Sequence, residues 1–487
     1  MDWKFYGRDS EIEALNRILK RSRWFFAKIT GRRRIGKTSL IQRALSDIPD
    51  KKSFYVQIPD SSPAGVLSGV CDALETFSMS PADYPYPDTL LSLAKLIAKM
   101  ARDGIIVTLD EFQYFNRPRF KEFCSFLQKE VDQLAADAEN VKGGLFVLGS
   151  IHTEMTALLE DRSAPLYNRT TDEILLGHLE IASLLQMLRE HNCLEPGYLL
   201  FLWNLFEGVP KFYRDCYEQD VLGKPRHDVI RRMFFESSSP LKNEAENWFL
   251  KELHGRYDAI LQYIARKSGC SHSDLVEHVR TVSREEKEQV GGYLKTLVGK
   301  YQLVEKRLPI FAKEKTRSGK YFISDNFLRA WLGALSTPAS AAHFTPVANL
   351  VTKTDERLMT MEGRAFEKLI GVIYEERSRK GIGDFVLSRR IAGYWDRAGV
   401  EIDFVAVDET NRRIRFGNCK RAPERLAPSL SDFENHIKKY FNAFCEQTNW
   451  QIEKVCFAPL IKTSLREKLS DQGYIVEDLM DLFSGLV

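Results

Sequence analysis

Trp24-Phe-Phe-Ala-Lys-Ile-Thr30-Gly31-Arg32-Arg33-Arg34-Ile35-Gly36-Lys37-Thr38-Ser39-Leu-Ile-Gln-Arg-Ala-Leu45 is the stretch from which the fold of this chain can be read. A β-rich apolar run ends in a loop of the form G-x-x-x-x-G-K-[ST], and a helical pattern begins at Ser39. The spacing serves phosphate binding. Two glycines let successive backbone N–H groups wrap phosphates at a helix N-terminus. Gly31, Arg32, Arg33, Arg34, Ile35, Gly36, Lys37, Thr38 and Ser39 are therefore the expected cradle, with Lys37 reaching the β/γ-phosphates and the Thr38 hydroxyl binding Mg²⁺. The ligands implied are ATP and Mg²⁺. A glycine-rich turn without function is the alternative, and strand before and helix after disfavour it.

A second apolar run, Ile105-Ile-Val-Thr-Leu-Asp110-Glu111, delivers two carboxylates at a strand's C-terminal end, where open α/β sheets bind ligands. Asp110 is expected to hold Mg²⁺ through its shell, and Glu111 to polarise the attacking water. A solvent-facing acidic strand end is the alternative. Leu145-Phe-Val-Leu-Gly149-Ser150 reads as another strand, ending in small polar residues suited to sensing a γ-phosphate. His152 reads as a local hydrogen-bonding residue rather than a ligand.

Outward from these motifs, 487 residues with 44% hydrophobic and 28% charged side chains exceed one core and predict two to four domains. Lys and Arg number 70 against 67 Asp and Glu, so bulk charge makes no case for nucleic acid or an anionic membrane. No apolar run reaches the ~18 residues of a membrane span, and the start lacks a signal-peptide pattern, so the expected location is the cytoplasm. Eight scattered cysteines without a C-x-x-C pair argue against a zinc site or a disulfide framework.

The strands expected in residues 1–170 are Trp24 to Thr30, Ser53 to Gln57, Ile105 to Leu109 and Leu145 to Gly149, alternating with helices in an ATPase core. Residues 171–250 read as a helical lid. Residues 254–333 give three helices and two short strands, around Leu303 to Phe311 and Lys320 to Ile323, in winged-helix order. Ser336 to Pro346 shows neither period, and 336–350 is expected to be a linker. Residues 355–487 form another α/β unit, with a helix near Glu362 to Arg377 and strands over Asp384 to Ile391, Glu401 to Val407 and Arg413 to Cys419.

With Phe5-Tyr-Gly-Arg8-Asp9, Pro165-Leu-Tyr-Asn-Arg169 and Gly208-Val-Pro210 added to these motifs, the chain resembles the archaeal-type ATPases, P-loop proteins related to the AAA+ and STAND groups. The resemblance implies an α/β fold, a P-loop NTPase parallel sheet with a lid, followed by a winged-helix domain and a C-terminal restriction-endonuclease-like domain. It implies Ser150 as sensor, Phe5 to Arg8 near the adenine, and Arg169 as either an arginine finger or a member of a structural ion pair. An oligomer is compatible with it.

The wing carries Lys306, Arg307, Lys313, Lys315, Arg317 and Lys320, candidate phosphate contacts, while Arg284-Glu-Glu-Lys-Glu288 puts three carboxylates at the start of the expected recognition helix. DNA contact and a structural or protein-docking role both stay open. In the last domain Glu367, Asp403, Asn418 and Lys420 resemble the PD-(D/E)xK nuclease pattern, except that Asn418 stands where an acidic residue belongs. That weakens a hard-cation site, unless Glu367 or Glu401 compensates. Arg377, Arg379, Lys380, Arg389, Arg390, Arg397, Arg412, Arg413, Arg415, Lys420 and Arg421 are either a track for DNA or RNA or solvated surface. Three outputs follow: an ATP switch presenting an impaired nuclease-like domain to nucleic acid, an ATP-gated module for a protein partner, or an active Mg²⁺ nuclease.

Overall fold

Runs such as Ile106–Asp110 and Gly144–Gly149 are apolar on both faces, which suits strands covered by helices on each side and hence a parallel sheet. The computed structural model bears this out; it describes residues 2–49, 51–150, 152–246, 253, 257–282, 289–313, 316, 318–342 and 344–486. Arg284 to Glu288, Lys315, Arg317 and the side chain of His152 lie outside the described residues.

The chain divides into two compact units, Gly7–His178 and a second made of Met1–Tyr6 with Leu179–Val487. The first holds strands β1 (Phe26–Gly31), β2 (Ser53–Gln57), β3 (Ile106–Asp110), β4 (Gly144–Gly149) and β5 (Asp172–Leu176). Their order is β2-β3-β4-β1-β5, and every pairing is parallel. β1 therefore ends beside β4, with β3 one strand further on. The fifth strand was not expected from the sequence. It alternates exposed and buried positions at the sheet's edge and begins with two acidic residues, a weak signal for a strand.

In the second unit, helices Asp258–Arg266, His272–Val282 and Val290–Gly299 accompany an antiparallel sheet of β6 (Cys270–Ser271), which lies between the first two helices, and β7 (Val304–Arg307) and β8 (Lys320–Ile323), which follow the third. The loop after β7 folds onto the C-terminal sheet: Ile310 N–H donates to Gly393 O at 2.8 Å, and its side chain joins the core there. That sheet has the order β13-β12-β11-β10-β9, from β9 (Ala392–Trp395), β10 (Glu401–Asp408), β11 (Arg413–Cys419), β12 (Gln451–Ala458) and β13 (Ile475–Asp478). It is antiparallel from β9 to β11 and parallel from β11 to β13. Helix Leu426–Ala443 packs Tyr440 on Phe416 of one face, and helix Val347–Arg379 packs Tyr374 on Phe404 of the other.

Two expectations are corrected here. The Ser336 to Pro346 stretch contains helix Ser336–Ala341, and Val347 starts a 33-residue helix, so residues 347–350 are helical as well. Serine and alanine are compatible with a helix, and buried Trp331 and Leu335 just before anchor it. Asp384 to Ile391 forms no strand. Its backbone is used elsewhere, Leu387 N–H donating to Ser378 Oγ and Ile391 N–H to Glu375 Oε1.

Helix Val347–Arg379 acts as a spine within the second unit. Glu376 accepts from Ile181 N–H (2.6 Å) and Ala182 N–H (3.1 Å), capping helix Ile181–Glu190. Asn204 Nδ2 donates to Leu358 O, Arg329 donates to Asn204 Oδ1, and Arg226 pairs with Asp355 and Glu362. Buried polar contacts of this kind fix one arrangement, since breaking any leaves a partner unsatisfied.

Candidate functional site

The loop between β1 and helix Lys37–Ser46 needs its glycines. Gly36 sits at φ 97°, and a Cβ on Gly31 would come within 2.6 Å of Leu176 O. Lys37, only 7% exposed, donates from Nζ to Gly31 O (3.0 Å) and Arg32 O (3.1 Å). Burial lowers its ammonium to about 8, with Glu111 and Asp110 opposing the shift and Arg33 adding to it.

This has a measurable consequence. Free Lys37 loses its proton as pH rises through about 8, whereas a phosphate beside it would favour the charged form. The bound state then holds more protons above that pH, so binding weakens as pH rises. Calorimetry of ATP binding at pH near 8, in two buffers of different ionisation enthalpy, is expected to show net uptake of part of a proton. Lys37→Arg is expected to remove it, because arginine stays charged.

At the end of β3, Asp110 Oδ2 accepts from Thr38 Oγ1 at 2.6 Å and from Tyr55 OH at 2.8 Å. Burial, then Asp110, raise the Tyr55 phenol, which stays a donor. A hydroxyl and a carboxylate oxygen side by side are hard donors that fit Mg²⁺. Glu111 follows in a left-handed conformation, φ 56°. Its Oε2 accepts from Ser150 Oγ at 3.1 Å and from Gln113 Nε2, while Gln113 Oε1 accepts from Ser150 N–H at 3.3 Å. Tyr55 and Gln113 escape sequence reading. Only the position of Gln113, two residues after Glu111, offered any signal.

The structure thus brings Lys37, Thr38, Asp110, Glu111 and Ser150 together. The Arg8 guanidinium, expected near the adenine, donates to Gly177 O (2.8 Å) and to Ile35 O of the loop (3.2 Å) and pairs with Glu11. Within this chain Arg169 pairs with Asp132 through Nε (2.7 Å) and Nη2 (3.1 Å).

A second cluster lines a cleft of about 490 Å³ between β7/β8 and the C-terminal sheet. Helix Val347–Arg379 supplies Arg364 and Glu367, and β10 supplies Glu401 and Asp403. Arg364 pairs with Glu367 and lies 3.7 Å from Glu401 and 3.8 Å from Asp403, while Lys320 pairs with Glu401 at 2.6 Å. Burial, then Asp403, raise the Glu367 carboxyl, opposed by Arg364 and Lys420. Asn418 does not join them. Its Nδ2 donates to Ser429 Oγ at 2.8 Å, on the face of β11 that carries Phe416, and strand alternation turns Gly417 and Cys419 to the other side. The nuclease-pattern spacing put 418 and 420 on one face, but β11 ends at Cys419 and Lys420 lies beyond the alternation.

Most of the basic residues considered for a nucleic-acid track are engaged internally. Arg379 and Lys380 pair with Glu180, Arg389 with Glu409, Arg413 and Arg415 with Asp384 and Glu453, and Arg421 with Glu362. Arg377 donates to Leu482 O and Ser484 O. On β8, Lys320 lies over Trp395, and on β7 Arg307 pairs with Glu305.

Residues 5–211 match a family described as an ATPase domain predominantly from Archaea. Residues 331–429 match one described as archaeal and bacterial proteins of unknown function. An uncharacterized protein of Methanocaldococcus jannaschii is 22% identical over 437 residues, 85% of this chain and 87% of that protein. A Walker-type ATPase of Pyrococcus abyssi is similar in structure, with a TM-score of 0.51 at 17% identity over 67% of this chain and 96% of that one. An Aeropyrum pernix ORC2 protein, at 17% identity, has a TM-score of 0.46 over 73% of this chain and 95% of its own. No helix among the described residues is long and apolar enough to cross a membrane.

Proposed function

We propose that the chain, whose residues 5–211 match the model of an ATPase domain found predominantly in Archaea, is an ATP-hydrolysing switch whose output is carried by the unit built on helix Val347–Arg379. The observation that carries this is the meeting of Lys37, Thr38, Asp110, Glu111 and Ser150 at the ends of β1, β3 and β4. Lys37 offers its charge to the phosphates and Glu111 takes the proton side of the attacking water. Thr38 and Asp110 would hold Mg²⁺, which when bound supplies positive charge to the phosphate oxygens. Ser150 reports on the γ-phosphate, and Arg169 serves structure unless another copy's site recruits it.

Residues 254–333 are read as a winged helix and 355–487 as a nuclease-like fold. The docking of Ile310 on the C-terminal sheet supports a wing that joins two parts of one unit instead of tracking DNA. Arg364 among Glu367, Glu401 and Asp403 supplies the positive charge that a metal would bring, and Asn418 faces away, which supports a fold that has given up cleavage. Since most basic side chains are neutralised by carboxylates, a protein partner is the better supported output.

The test is binding of labelled duplex and single-stranded DNA to the Glu111→Gln protein, with and without ATP and Mg²⁺, across a salt series. Little binding, with a shallow salt dependence, is expected. An ATP-dependent affinity that falls steeply with salt would establish a nucleic-acid output instead.

A further inference from the structure

Gln113 is fully buried, yet it is a polar side chain with both ends used at the nucleotide site. Its Nε2 donates to Glu111 Oε2 and lies 3.4 Å from Ser150 Oγ, and its Oε1 accepts from Ser150 N–H at 3.3 Å. Ser150 Oγ closes the triangle by donating to the same Glu111 oxygen at 3.1 Å. Gln113 belongs to the short helical turn Phe112–Asn116, whose start is set by the left-handed Glu111 and which packs Phe112 and Phe115 into the core. Gly149 leaves the room this needs: a Cβ there would come within 3.0 Å of Gln113 Oε1 and closer still to Met155.

We infer that Gln113 is a positioning residue that fixes the Glu111 carboxylate relative to Ser150, so that a displacement at the end of β4 is passed to the group that activates water. The argument is geometric. An amide carries a donor and an acceptor at opposite corners, so one side chain holds a carboxylate oxygen with one and a backbone N–H with the other. Neither serine, a carboxylate nor an apolar residue of that length could make both contacts. The two donors converging on Glu111 Oε2 also orient its second oxygen, which sets where a water can be engaged. This inference rests on the reading of Glu111 as the water-polarising group.

The test uses the full chain in steady-state ATP hydrolysis, with Gln113→Ala, the isosteric Gln113→Glu, and Glu111→Gln as control. Gln113→Ala is expected to lower kcat by about ten- to a hundredfold with KM for ATP unchanged, because positioning is lost and phosphate binding is not. Gln113→Glu keeps the length but replaces the amide donor with a second carboxylate against Glu111, so it is expected to lower kcat at least as far, again with KM unchanged. A merely structural amide would lower melting temperature and leave kcat of the folded protein unchanged. Unchanged kcat in both variants overturns the inference while a slow Glu111→Gln leaves the parent reading intact. If Glu111→Gln itself turns over like the unaltered protein, the reading of Glu111 fails, whatever Gln113 does.

Discussion

Glu111→Gln is expected to bind ATP as tightly as the unaltered chain and to hydrolyse it about 10²- to 10⁴-fold more slowly, the usual share of a positioned general base. The substitution keeps size and most hydrogen bonding, since an amide oxygen still accepts from Ser150 Oγ and Gln113 Nε2. What it removes is the capacity to take a proton. Binding rests on other groups, the Lys37 ammonium and the loop backbone, so the two effects separate. Single-turnover hydrolysis alongside equilibrium binding of a fluorescent ATP analogue measures both, and near-normal turnover would remove Glu111 from the mechanism.

Lys37→Ala is expected to act on the other half: ATP affinity falls by about a hundredfold, the worth of hydrogen bonds to a charged group in a buried site. The lysine is buried beside Glu111 and Asp110, and its removal leaves those carboxylates facing the phosphates without a compensating charge. Lys37→Met, which keeps the stem's packing, is expected to lose affinity as severely. Retained stability with lost binding identifies the charge as the cause. Equal loss of melting temperature and affinity would instead assign Lys37 to holding the loop, through Gly31 O and Arg32 O.

These predictions were available from the chain before its folding was known, because the chemistry of a phosphate loop is local. Gly31, Gly36, Lys37 and Thr38 lie within eight residues, and the helix and strand that flank them follow from short-range pattern. Asp110 and Glu111 were legible for the same reason, standing at the end of an apolar strand of unmistakable length. The three inner strands, β1, β3 and β4, needed only their own hydrophobicity.

Sequence alone misjudged whatever depended on a partner far along the chain. Asp172–Leu176 is a strand because Phe26–Gly31 offers it a free edge, and nothing in its half-polar pattern announces that. Residues 336–341 and 347–350 are helical because the helices they belong to find apolar surface to cover. Arg413 and Arg415 looked like contacts for phosphate until Glu453 and Asp384, some 40 and 30 positions away in sequence, arrived to neutralise them.

Motif spacing and local hydrophobicity thus determined that this protein carries a P-loop and an α/β frame, since both are written in neighbouring residues. The tertiary structure alone decided which face of β11 Asn418 takes, that Arg364 stands among the carboxylates of the second cluster, and that Gln113 ties Glu111 to Ser150. The physical reason is the same in each case: a side chain's direction and its hydrogen-bond partner are set by strand alternation and by contacts between distant segments, which no local pattern encodes.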